Sequence, residues 1–113
     1  MTIKQYQKIV DEWINDIGVR YFDEMTNTLL LNEEVGEFSR LIVRIYGEQS
    51  FKNPPSDEEK KKMLSDEIAD IFFVLTCLSN QLGVDLEEAF AQNLQKKTKR
   101  DINRHRNNDK LKD

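Results

Sequence analysis

Two stretches of this chain carry acids where a helix packed in a core should carry apolar residues. In "LLLNEEVGEFSRLIVRIYG", Leu29 to Gly47, glutamates interrupt the spacing of a buried helix, and "MLSDEIADIFFVLTCL", Met63 to Leu78, repeats the arrangement. Positions i, i+4, i+7 and i+11 of a helix share one stripe. One stripe is therefore Leu30, Glu34, Glu37, Leu41 and the other Met63, Glu67, Asp70, Val74. Each pair of carboxylates sits between apolar residues of its own stripe. Like charges at this spacing cost a few tenths of a kcal/mol on an exposed helix and far more once buried, unless something offsets them. If the two helices face one another, the four acids form an oxygen-only ligand set for a hard divalent cation. The bland alternative is that both helices lie at the surface and the acids are their wet face.

The remaining residue types narrow the chemistry. His105 is the sole histidine and lies in the polar C-terminal run, which excludes the Glu-x-x-His pairs of helical di-iron sites, zinc sites and Ser/His/Asp machinery. Cys77 is the sole cysteine, so no disulfide forms within the chain, and its apolar surroundings mark it as a buried core thiol. Oxygen-only ligation points to Mg²⁺, with Mn²⁺ as a substitute, and so to phosphate chemistry.

Four helices must position these acids. The 113 residues suffice for about one core. Ile3, Tyr6, Ile9, Val10, Trp13, Ile14 and Ile17 form one apolar stripe, predicting a first helix that Gly18 ends. The second is expected over about Thr28 to Tyr46, capped by Thr26 or Asn27, with Gly47 past its end. "EQSFKNPPSD" is a loop, because its paired prolines deny backbone donors. Ser56 with Glu59 forms a capping box opening a third helix that runs to Leu82 and stops at Gly83; Asp85 with Glu88 opens a fourth. Nothing alternates as a strand does. The expectation is an all-α, compact four-helix bundle-like domain over residues 1–104, with a polar, flexible tail over 105–113.

Net charge is −4, which argues against a chain that coats nucleic acid. No apolar stretch approaches the roughly 18 to 20 residues of a membrane span, and "MTIKQYQKIVDEW" is too polar for a signal peptide, so a cytoplasmic protein is expected.

"NEEVGE" followed by "DEIAD" resembles the paired motifs of the MazG-like all-α nucleoside triphosphate pyrophosphohydrolases. The likeness extends from about Tyr6 to Arg104. It takes in the aromatic connector at Tyr21 and Phe22, Gly36 between the acids, "LEEAF" opening the last helix and the basic "KKTKRD" ending it. The resemblance implies that Glu34, Glu37, Glu67 and Asp70 hold the metal, and that Glu33 assists the metal or the attacking water. Asp66, about 100° round the helix from Glu67, reads as a residue behind the ligands or on the surface. The implied reaction is Mg²⁺-dependent hydrolysis of an NTP or dNTP to a monophosphate and pyrophosphate. The implied assembly is a homo-oligomer, dimer or tetramer, completing a bundle that four short helices leave open.

Lys96 and Arg100 share a face and match family positions that tend to be basic, so the resemblance implies contact with the triphosphate, although Lys97 stands where the family usually has an aromatic. Their alternative role is to place cations at a helix C-terminus. Asn80 interrupts an apolar run and is a candidate to read a base edge, or simply to meet solvent near the helix end. Trp13, Tyr21 and Phe22 can stack on a base or serve as core. The competing reading of the whole chain is a non-enzymatic helical interaction module with an acidic surface.

Overall fold

The computed structural model describes residues 1–112, which form four helices and no strand: α1 (Ile3–Asp16), α2 (Glu24–Tyr46), α3 (Asp57–Gln81) and α4 (Leu86–Asp101). The all-α expectation holds among these residues. The C-terminal run is exposed and contains a single 3₁₀ turn, Asp109–Leu111.

Side chains satisfy the helix starts. Thr2 and Gln5 form a reciprocal box at the head of α1, and Ser56 and Glu59 form the expected one at the head of α3, where the hydroxyl accepts from Glu59 N at 3.2 Å. Asp85 accepts from Glu88 N to open α4. Helix α2 begins a turn before the expected Thr28. Asp23, rather than Thr26 or Asn27, caps it, accepting from Thr26 N at 2.7 Å, and this frees Asn27 for another task.

The ends differ in kind. Gly83 takes φ +68, which lets Val84 N reach back to Ser79 O at 2.8 Å and close α3. Gly18 is not the left-handed residue after α1; Val19 is, at φ 72. Gly18 is needed instead because a Cβ there would lie 3.0 Å from the Ile14 carbonyl oxygen.

Helices α2 and α3 form the main pair, and α1 lies across α3 and α4. Asn27 meets Gln81 while Glu34 meets Glu67, so α2 and α3 run antiparallel. Val10, Leu41, Cys77 and Leu78 form the fully buried apolar core. Helix α4 turns 102° off α3 and leaves the body as an arm. The extended arm sets the radius of gyration at 18.1 Å, against about 13 Å for a closed domain of this length. Phe72, Phe90 and Leu94 stay exposed, because the helices leave an apolar cleft that the chain itself does not fill.

Candidate metal centre

The antiparallel packing of α2 on α3 brings the two acidic stripes together. Glu34, Glu67 and Asp70 each present an oxygen within 4.8 Å of the others. Glu37 stands outside this converging trio, yet its charge acts on both Glu34 and Glu67. Glu33 and Asp66 are exposed and lie outside it.

The electrostatics are those of a site short of positive charge. Burial, then the charge of Glu37, then a hydrogen bond with Glu67 push the Glu34 carboxyl up to about 7. Burial first, and the Glu37 charge second, push Glu67 upward as well. The Oε2 atoms of Glu34 and Glu67 are buried with no hydrogen-bond partner. Buried carboxylate oxygens without donors are expensive, and a divalent cation is the group that would offset both their burial and their repulsion. The donor set fits such an ion. Asp70 is exposed, so one side of the cluster faces solvent, where phosphates and water have access. This geometry disfavours the wet-face reading: two of the acids are half-buried and aimed at one another.

One helical turn beyond the acids lies a cavity of about 280 Å³ between α1, the connector, α2 and α3. Leu30 and Val74 belong both to its wall and to the acidic stripes. Trp13, Tyr21, Phe22 and Phe73 also line it, with Trp13 edge-on to Phe73 at 5.7 Å between ring centroids. The aromatics thus form neither a sealed core nor a free surface.

Asn80 belongs to a different construction. Its amide donates to Gln7 O and to Tyr21 Oη, each at 3.0 Å, and accepts from Gln7 Nε2 at 3.1 Å. Both its protons are used within the chain, so contact with a base edge would require this knot to open, and the residue stays partly exposed near the helix end. Tyr21 donates in turn to Asp11 at 2.6 Å, and burial together with that bond raises its phenol to about 12. Gln7, which sequence reasoning passed over, also donates to Val84 O and accepts from Leu86 N, tying the head of α4 to α1. Its signal was available: a glutamine on the stripe of Ile3, Val10 and Ile14.

Lys96 and Arg100 are exposed on α4, which packs chiefly on α1. The Arg100 guanidinium grips Asp101 at 3.0 and 2.7 Å and, with Arg104, holds that carboxyl down at about 2. A triphosphate would have to compete with Asp101 for Arg100.

The family model of the MazG nucleotide pyrophosphohydrolase domain matches residues 22–105. The chain is 37% identical over 103 residues to YpjD of Bacillus subtilis (strain 168), covering 91% of this chain and 89% of the relative. The crystal structure of Bacillus subtilis YpjD superposes with a TM-score of 0.71 at 34% identity, over 85% of this chain and 92% of the other. That of a Bacillus-conserved MazG protein, a nucleotide pyrophosphohydrolase, superposes with a TM-score of 0.70 at 30% identity, over 85% and 88%.

Proposed function

The chain belongs to the MazG nucleotide pyrophosphohydrolase family and is a hydrolase of nucleotide pyrophosphate bonds, and from that premise we propose that it cleaves nucleoside triphosphates, NTP or dNTP, with Mg²⁺. The observation that carries the reading is the convergence of Glu34, Glu67 and Asp70 with two buried oxygens left unpartnered. An acidic docking surface, the competing module, would keep its carboxylates wet.

Glu34, Glu67 and Asp70, with Glu37 beside them, would hold Mg²⁺, and Mn²⁺ could replace it. When bound, the ion offsets phosphate charge and makes water more acidic. Water attacks the α-phosphorus, forming the new O–P bond as the α–β bridging bond breaks. Pyrophosphate leaves and the nucleotide departs as its monophosphate. Glu33, exposed beside the trio, takes the proton of the attacking water and returns it to solvent. Lys96 and Arg100 contact the triphosphate. We place the protein in the cytoplasm, where the nucleotides it would act on are found.

The working unit is a homo-oligomer. The chain exposes 9257 Å², whereas roughly 6,500 Å² is expected of a compact chain of this size, and the excess is of the order that an obligate interface buries per partner. The apolar cleft at Ile3, Tyr6, Phe72 and Phe90 supports the same reading. Light scattering on the eluted protein tests it, and a monomer at micromolar concentration would refute it.

A panel of NTPs and dNTPs with Mg²⁺, scored for products, tests the chemistry. Pyrophosphate with monophosphate is expected; orthophosphate as the released product would overturn α–β cleavage. Mg²⁺ should also raise the melting temperature beyond what equal ionic strength of a monovalent salt achieves, which an acidic interaction surface would not show.

A further inference from the structure

Among the polar side chains that line the cavity beside the acids, that of Asn27 is held in a fixed orientation. Asn27 is only 5% exposed and forms part of the cavity wall. Its Nδ2 donates to Gln81 Oε1 at 2.8 Å and to the Phe22 carbonyl at 3.4 Å. Gln81 Nε2 donates to the same carbonyl at 2.6 Å. A backbone carbonyl can only accept, so it turns the nitrogens of both amides toward itself. Gln81 Oε1 is thereby left facing Asn27 Nδ2, and Asn27 cannot flip without setting its oxygen against both Phe22 O and Gln81 Oε1. Asn27 Oδ1 accepts no hydrogen bond within the described residues, and it is not sealed off as the Oε2 atoms of Glu34 and Glu67 are. Asn27 thus brings to the cavity wall an unpaired acceptor and no free donor.

The position suits a nucleobase. Asn27 precedes Glu34 by two helical turns, about 10 Å along the axis, with Leu30 between them on the cavity wall. The aromatic rings of Trp13, Phe22 and Phe73 supply flat apolar surface. Arg20 lines the cavity too, but it is itself exposed and gives Nη1 to the Tyr21 carbonyl.

We infer that Asn27 is a specificity residue that accepts a hydrogen bond from the exocyclic amino group of the substrate base, so that cytosine or adenine nucleotides are favoured over their keto counterparts. A keto oxygen in the same place would set two acceptors against each other in an apolar cavity, leaving both unpaired. The inference rests on the nucleotide-hydrolase reading given above and refines its substrate.

The test uses pairs that differ only in amino against keto: dCTP with dUTP, and ATP with ITP. Wild-type kcat/KM should favour the amino member of each pair by about tenfold or more. Asn27→Leu should erase the ratio. Because Asn27 also holds Gln81, a second variant separates reading from folding: Gln81→Met keeps Asn27 but releases its amide to rotate, and should narrow the ratio with an unchanged far-UV spectrum. Trp13, the sole tryptophan, lines the cavity and reports binding without turnover, so its fluorescence should respond to CMP at lower concentration than to UMP. Pyrophosphate released equally from both members of each pair, with Trp13 responding alike to CMP and UMP, would overturn the role of Asn27 and leave the hydrolase reading standing. A Trp13 response favouring CMP with no pyrophosphate from any nucleotide would support the base site and sink the hydrolase reading.

Discussion

Two groups of polar side chains, at least partly withdrawn from solvent at their centres, meet α3 about three turns apart, and they are treated in opposite ways. Around Asn80, the amides of Gln7 and Asn80, the phenol of Tyr21 and the carboxylate of Asp11 pair with one another or with backbone, so that donors meet acceptors throughout. Around Glu67, carboxylates meet carboxylates, and two oxygens have no partner. The first group resembles the interior of a stable protein. The second is a stored deficit that a cation and a substrate would relieve. Satisfied polar groups hold a structure in place; unsatisfied ones indicate where something else must bind.

The largest effect should come from removing charge from the deficient group. Glu67→Gln or Asp70→Asn should lower turnover on the order of a hundredfold or more, since each removes a ligand at nearly constant shape. In chelator the same variants should melt above wild type, because the repulsion they remove is uncompensated there. A variant that keeps wild-type Mg²⁺-dependent turnover would break the contrast.

Breaking the satisfied group should do the reverse, costing stability first. Gln7→Leu orphans Asn80 Oδ1, Val84 O and Leu86 N; a buried group left unpaired costs roughly 1 to 3 kcal/mol, and these part-buried ones cost less each. A clear drop in urea midpoint is expected, with little change in the amount of Mg²⁺ needed for activity well below the transition. If Gln7→Leu melts as wild type does, the knot is not structural.

The pH dependence sharpens the comparison further. The Glu34 carboxyl is raised from 4.5 to about 7 in the folded chain, so across that window the folded state binds more protons than the unfolded one. Stability contributed by the protonated form is therefore fully present below the lower value and lost as pH rises through the upper one. In chelator, the melting temperature should fall between pH 5 and pH 8, and saturating Mg²⁺ should reverse the trend by favouring the ionised form.

The smallest effect belongs to the connector at the rim of the cavity. Val19 is β-branched, exposed and left-handed, a conformation glycine adopts freely. Val19→Gly should stabilise the chain by about 0.5 to 1 kcal/mol, read from the shift in urea midpoint, after the greater freedom of glycine in the unfolded state is deducted.

The acids, the helices and their caps could be read from the sequence because each is a matter of local spacing. Glu34 with Glu37, and Glu67 with Asp70, fall on single stripes whatever the tertiary fold, and Ser56 with Glu59 makes a box from four consecutive residues. At the head of α2 three local signals compete: Asp23, Thr26 and Asn27 are all fair caps, and Asn27 is drawn away from the helix end by Gln81, a partner 54 residues distant. Which groups lie dry could not be read either. Asn80 interrupts an apolar run in the manner of a ligand-reading residue, and only the packing of α1 and of the connector after it against α3 gives it Gln7 and Tyr21. The sequence by itself thus determined the helices, the order of the acids and the family they identify. The tertiary structure decided that three of those acids converge while Glu33 faces solvent, that Asn27 lines the cavity with its amide nitrogen already committed, and that one chain leaves its bundle open. Periodicity fixes the face of a helix on which a side chain lies, but what meets that face depends on packing between segments far apart in the chain, where burial and the supply of partners set the energy.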